Sequence, residues 1–403
     1  MMMRNKFLHF GCWNNTNEKK GKVVGNLNQV MKKLNNYLKN QAYFEKKPFL
    51  VLAGDNYYPE KKKSEMENEK KEKIIYLQKM LDGFNSLPTD VEINMILGNH
   101  DLETNGKKKT LFIENVNTNE KNDCYILNNE MRYVLNSNET QKENNIHFIL
   151  FKEEMLKNGT LLLMLDTSMY GSDVDKYLPC YSVFLKHQIK NAQILIDMQN
   201  EFIKSTIEKY SESIQNIIMI GHHPIIGIKN KKTKHNIYNS KSEPEVGESK
   251  IEILNDIPYF VDTLKMIKNV VNKNEVEYFY LCADLHLFQK GVVHINNDDM
   301  KINQYIVGTG GTELDDDISK ELSNNIKYNR ASDNITYEVT ENEHDFGFLE
   351  CLIREGPPIF TFISATKKDF GGGLRHRTKS KFKKIPRKKL KLTRKRNKKH
   401  RIN

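Results

Sequence analysis

The chain is poor in cysteine and has no long apolar runs. Its five cysteines, Cys12, Cys124, Cys180, Cys282 and Cys351, are odd in number and scattered, with no CxxC pair. That spacing points away from a disulfide framework. The start of the chain has no apolar segment of signal-peptide length; the short run at 7–10 leads straight into a loop. The longest apolar-rich run, 217–228, carries two histidines and is too short to span a bilayer. These absences predict an intracellular, soluble protein without a membrane partner.

What is present is enough for a large core. The sequence has 403 residues, 38% of them hydrophobic. One large domain with insertions, or two domains, is expected. Charge is divided unevenly. Of 63 basic and 52 acidic residues, 18 and one respectively fall in 367–403. The tail is therefore +17, and the remaining 45 basic and 51 acidic residues leave a body of −6. A globular domain over 1–366 and a disordered basic tail over 367–403 follow. The glycines Gly371, Gly372 and Gly373 read as a hinge, and the run after them has too little apolar surface to fold alone.

Apolar strands are predicted at 6–10, 49–53, 93–97, 160–165, 217–220, 278–281 and 304–307, with a terminal hairpin over 347–353 and 359–364. Leu27, Met31, Leu34 and Leu38 share a helical face, and Leu195, Met198 and Phe202 mark a second helix. Residues 60–73 read as the exposed start of another. Polar stretches near 102–146 and 229–250 read as insertions. Strand, polar loop and helix recur, which favours a buried sheet layered with helices. In such sheets ligands gather at strand carboxyl ends.

Five loops sit at those ends: Gly11-Cys12-Trp13-Asn14, Gly54-Asp55-Asn56-Tyr57-Tyr58, Gly98-Asn99-His100-Asp101, Gly221-His222-His223-Pro224 and Cys282-Ala283-Asp284-Leu285-His286. Asp55 offers two oxygens to bridge two cations, Asn99 a neutral carbonyl, and His222 and His286 imidazole nitrogens. Singly, such residues are ordinary turn formers or structural histidines. Four of them, each behind an apolar strand, point to one metal site.

The order GDNxY, GNHD, GHHP and a closing His resembles the calcineurin-like metallophosphoesterases. Tyr58, three residues after Asp55, resembles the purple acid phosphatases of the tartrate-resistant type. Met164-Leu165-Asp166-Thr167 and the glycine run ending at Gly311 fit the same pattern, and the similarity covers roughly 5–365. The resemblance implies a four-layer α/β sandwich, two mixed sheets flanked by helices. It implies two metal ions (Fe, Zn or Mn), one held by the first-motif residue, Asp55, Tyr58 and His286. The other would take Asp55, Asn99, His222 and the first position of the closing motif. It further implies His100 as proton donor to the leaving alkoxide, Asp101 as its orienting partner, and a phosphoester substrate attacked by a metal-activated water.

Two positions depart from the family. Cys12 stands where the first motif carries Asp, and Asp284 where the closing GHxH carries its first His. Both side chains can still bind metal, the thiolate as a soft ligand and the carboxylate as a hard one. A thiolate beside a tyrosinate reduces ferric iron, so the purple state is not expected. Two function classes therefore stand. One is a working, retuned hydrolase, most simply a phosphomonoesterase. The other is a weak or inactive phosphoesterase fold that acts as a nucleic-acid-binding or virion protein. For the second, residues 371–403 would bind nucleic acid without sequence preference, or an import receptor, giving nuclear or virion association.

Overall fold

The computed structural model describes residues 4–13, 18–19, 22–23, 26–40, 48–56, 91–102, 146–230, 251–254, 256–272, 275–295, 299–316, 327–330 and 335–367. The expected helix start at 60–73, Tyr58, the bulk of both insertions and the basic tail lie outside them.

In chain order the strands are β1 (Lys6–Phe10), β2 (Glu18–Lys19), β3 (Lys22–Val23), β4 (Phe49–Ala53), β5 (Ile93–Ile96), β6 (Ile146–Ile149), β7 (Lys152–Leu156), β8 (Thr160–Met164) and β9 (Asn216–Ile220). They continue with β10 (Gly227–Asn230), β11 (Ile251–Leu254), β12 (Glu277–Cys282), β13 (Phe288–Ile295), β14 (Met300–Val307), β15 (Lys327–Arg330), β16 (Ile335–Glu343), β17 (Gly347–Leu352) and β18 (Ile359–Ser364). Two large sheets hold most of them. The six-stranded sheet runs β18-β17-β1-β4-β5-β6, and the eight-stranded sheet runs β15-β16-β13-β14-β12-β9-β8-β7.

Both sheets are mixed, with a parallel centre. β1, β4, β5 and β6 are mutually parallel, as are β8, β9, β12 and β14. β17 and β18 add an antiparallel hairpin to one sheet, and β13 and β16 an antiparallel ribbon to the other. The parallel strands read as unbroken apolar runs because both faces are covered. In β8 and β9, Leu162, Met164, Ile218 and Ile220 face the core shared with the six-stranded sheet. Their neighbours Leu161, Leu163, Ile217 and Met219 face a second core. That alternation is the pleat of a strand buried on both sides.

Helices cover the outer faces. Leu27–Asn40 buries Leu27, Val30, Met31, Leu34 and Leu38 in the first core. Ala192–Tyr210 starts at Asn191, whose side chain accepts from the Ile194 N–H, and buries Leu195, Ile203 and Ile207 in the second. Phe260–Val271 adds Phe260, Leu264 and Ile267 to the same core. The result is the expected sandwich of two mixed sheets with flanking helices. One expectation needs correcting. Cys12, Cys282 and Cys351 are free thiols, but Cys180 is disulfide-bonded. An odd, scattered set of cysteines does not by itself exclude a single bridge. Among the described residues, no helix is long and apolar enough to cross a membrane.

Candidate metal centre

Each of the five loops leaves the carboxyl end of a parallel strand, three from the six-stranded sheet and two from the eight-stranded one. Backbone bonds join them at the ends. Cys12 N donates to Gly54 O at 3.2 Å, Gly11 N to Val307 O at 3.0 Å, and Ala283 N to His222 O at 2.8 Å. The packing leaves no room for side chains at key glycines. A Cβ on Gly11 would meet the Ala283 Cβ at 2.5 Å, and one on Gly54 would meet the His222 Nδ1 at 2.7 Å.

Three candidate ligands sit in the left-handed backbone region: Cys12 (φ 51°), Asp55 (φ 53°) and Asp284 (φ 57°). For non-glycine residues this region costs roughly 1–2 kcal/mol each. Such strain persists only where the surroundings impose it, and it clusters at functional sites.

His222 lies at the centre and is fully buried. Its Nδ1 is 2.6 Å from Ala53 O, so Nδ1 carries a proton and donates it. Its Nε2 then faces three side-chain oxygens from three other loops: Asn99 Oδ1 at 3.0 Å, Asp55 Oδ1 at 3.2 Å and Asp284 Oδ1 at 3.7 Å. Burial alone would lower its pKa, but the carboxylates of Asp55 and Asp284 outweigh it and hold the ring up to about 10. Cys12 Sγ lies 3.9 Å from Asp55 Oδ2. Burial raises the Asp284 carboxyl above the usual carboxylate range, and the nearby His222 opposes the rise.

Cys12, Asp55, Asn99, His222 and Asp284 therefore lie near one another at the strand ends. The ligand atoms of Cys12, Asp55 and His222 lie within 4.8 Å of one another, as do those of His222, His223 and Asp284. His286 follows on the same loop, half-buried, with its N–H held by Asp315 Oδ2 at 2.9 Å. Its ring is near enough to lower the Asp284 carboxyl. A thiol, two carboxylates, an amide oxygen and imidazoles around a buried point suit a borderline divalent cation.

His100 is half-buried, and its backbone N–H donates to Asp55 Oδ1 at 3.2 Å. Asp101 is fully buried and ties two loops together. Its carboxylate accepts from Asn56 N at 2.8 Å, Asn56 Nδ2 at 2.9 Å and Gly98 N at 2.8 Å. Asn56 also accepts from Trp13 Nε1 at 3.1 Å and donates to Ile96 O at 2.9 Å, so it joins the first three loops.

Sequence reasoning passed over Asn56, Thr167 and His223. Asn56 and His223 stood inside quoted motifs without a role, and their position beside Asp55 and His222 was the available signal. Thr167 follows β8 in a stretch noted only for its resemblance. Its Oγ1 accepts from His222 N and His223 N, each at 3.0 Å. Behind it Asp166 is buried. Burial pushes its carboxyl up to about 7, against the lowering pull of Tyr181 and the Ser168 N–H.

A two-sheet α/β sandwich gathers oxygen, nitrogen and sulfur donors at its strand ends, as a metal-binding fold would. The profile described as "Calcineurin-like phosphoesterase" matches residues 5–247, more than half of the chain, and the protein belongs to that family. The match takes in Cys12, Asp55, Tyr58, Asn99 and His222 and ends before Asp284 and His286. No curated protein matches significantly. Among solved structures, the chain is similar to a purple acid phosphatase isolated from yellow lupin (Lupinus luteus) seeds. Identity is 12%, TM-score 0.48, with 91% of this chain and 52% of that one covered. It is also similar to PhoD, at 10% identity and TM-score 0.47, with 90% and 69% covered. The chain spans about half the length of the lupin enzyme.

Proposed function

We propose that the protein is a metal-dependent phosphoester hydrolase acting on a phosphomonoester, with water as the acceptor. The observation that carries this reading is the crowding of His222 Nε2 by oxygens of Asn99, Asp55 and Asp284. A nitrogen lone pair and two carboxylates at this spacing need a cation between them. In the metal-free protein a proton on the ring fills that role; a divalent ion fits the donors better.

Two ions would be held here, with Asp55 shared between them: Asn99, His222 and Asp284 would complete one set of ligands, and Cys12, Tyr58 and His286 the other. When bound, such ions supply Lewis acidity toward the phosphoryl group and a water acidified to near neutral pH. The chain does the rest. The Ala53 carbonyl keeps the proton of His222 on Nδ1 and so keeps Nε2 available. The Asp55 carboxylate, bonded to the His100 N–H, fixes the loop that carries the His100 ring. That ring is the proton donor to the leaving alkoxide, and Asp101 sets its loop by holding Asn56 and Gly98.

The test is hydrolysis of p-nitrophenyl phosphate and of an alkyl phosphate by zinc- or manganese-loaded protein. His100→Ala should lower kcat about 10²-fold on the alkyl ester and far less on the nitrophenyl ester, whose leaving group needs little protonation. Equal small losses on both would remove His100 from the reaction.

The +17 tail favours a second, compatible role in binding nucleic acid or an import receptor. Duplex DNA binding by the full chain should fall steeply with salt as released counterions drive it. A chain ending after Lys367 keeps β18 and the Thr366–Asp345 bond, at 2.6 Å. It should bind little DNA at any salt. Equal binding would move the nucleic-acid contact to the body and favour a phosphodiesterase.

A further inference from the structure

His222 and His223 are adjacent, with rings 4.7 Å apart and nearly perpendicular at 81°. Both lie close to Asp284, and by distance alone both qualify as ligands. Their hydrogen bonds separate them. His222 presents Nδ1 to a carbonyl, which can only accept. His223 presents Nδ1 to the Thr167 hydroxyl at 3.3 Å.

A hydroxyl oxygen has two lone pairs and one proton. On Thr167 both lone pairs are taken, by His222 N and His223 N at 3.0 Å each. A protonated His223 Nδ1 would point at an oxygen with nothing left to accept it. The hydroxyl proton can be given instead, and Nδ1 receives it. Tyr280, the other hydroxyl at this point, spends its own proton on His223 O at 2.6 Å. The Tyr280 oxygen also neighbours the Thr167 hydroxyl, but with the Thr167 proton turned that way a proton on His223 Nδ1 would still meet no acceptor.

We infer that Thr167 holds His223 as a neutral imidazole protonated on Nε2, so that His223 serves the site as an N–H donor to a phosphoryl oxygen and not as a metal ligand. Thr167 is the positioning residue, and the two neighbouring histidines direct Nδ1 to opposite kinds of partner, a carbonyl that accepts and a hydroxyl that donates. The donor half of this inference rests on the phosphoester reading above; the tautomer half does not.

Full-length protein labelled with ¹⁵N at histidine tests it. Long-range ¹H–¹⁵N spectra of the metal-free protein should show His223 with its proton on Nε2, in the wild type and in Thr167→Ser. Thr167→Val should lose the fixed pattern. Wild type and Thr167→Ser decide the point if the valine variant fails to fold, because Nδ1 protonation in either overturns the inference. Zinc titration comes second. His223→Ala should keep the zinc stoichiometry, with affinity within about threefold, since a ligand is not lost. Loss of a zinc equivalent would make His223 a ligand and overturn it. Inorganic phosphate binding to the zinc-loaded protein is the third arm. His223→Ala should weaken it about tenfold, the worth of one hydrogen bond, and His223→Gln should restore it. Unchanged phosphate affinity in His223→Ala would remove the donor role. If zinc does not bind the wild type at all, the phosphoester reading fails while the tautomer is still read.

Discussion

The two halves of the candidate metal centre are held by different means. On the side of the six-stranded sheet, Cys12, Asp55 and Asn99 are fixed by side chains that cross between loops. Asp101 and Asn56 join the second and third loops, and Trp13 joins the first. On the side of the eight-stranded sheet, one hydroxyl, Thr167, holds both histidines by their backbone, and Tyr280 locks the His223 carbonyl. Each half also carries one departure from the family pattern, Cys12 on one side and Asp284 on the other. Both positions have a left-handed backbone. The comparison teaches that loops held by different contacts present Cys12 and Asp284 in the same backbone conformation.

The largest effect should come from the point where the two halves meet. His222→Ala removes the nitrogen that faces Asn99, Asp55 and Asp284 together, and the affinity for the ion it would hold should fall more than about 100-fold in calorimetric titration. A change under tenfold would mean that the halves bind metal independently. Asp101→Asn breaks the first half alone. It leaves a buried amide where a carboxylate accepts three N–H bonds, and should cost about 3 kcal/mol in chemical denaturation. Metal affinity per folded molecule should fall much less. Cys12→Asp restores a hard ligand in the same cradle and should shift the zinc-over-manganese preference about tenfold toward manganese. Cobalt-loaded wild type should also show a thiolate charge-transfer band that the variant lacks.

The smallest effect tests the second half through pH. Burial raises the Asp166 carboxyl to about 7 in the folded chain, from 3.8 in the ordinary range. A raised folded value means the folded state holds the proton longer. The associated stability is complete below about 4 and is lost as pH rises through 7. Asp166→Asn should therefore stabilise the protein at pH 8 by about 1 kcal/mol, after the amide's own burial is set against the gain, and bring no gain at pH 4. Thermal melts at the two pH values measure it; an equal effect at both would discard the buried-charge account.

Much of this site was legible in the sequence because parallel strands buried on both faces are unbroken apolar runs. Residues 6–10, 49–53 and 216–220 announce themselves, and whatever follows them stands at a strand end. The antiparallel additions were harder to see. β13 and β16 mix polar with apolar residues because their exposed positions alternate, and β16 (ITYEVTENE) ends in a polar run. Helix Leu27–Asn40 was legible from the apolar spacing of Leu27, Met31, Leu34 and Leu38. The candidate donors stood out since carboxylates and imidazoles are conspicuous in short loops. Thr167 was not, because a threonine that accepts two backbone N–H bonds looks in sequence like any other strand-end threonine.

The claim on which all of this rests is that five strand ends build one two-ion site from Cys12, Asp55, Tyr58, Asn99, His222, Asp284 and His286. Metal content of the full-length protein, measured after equilibration with excess zinc and removal of the unbound ion, tests it most directly. The account predicts two zinc equivalents in the wild type and no more than one in His222→Ala. Wild-type protein that retains no zinc, or a His222→Ala variant that still holds two equivalents, would contradict it.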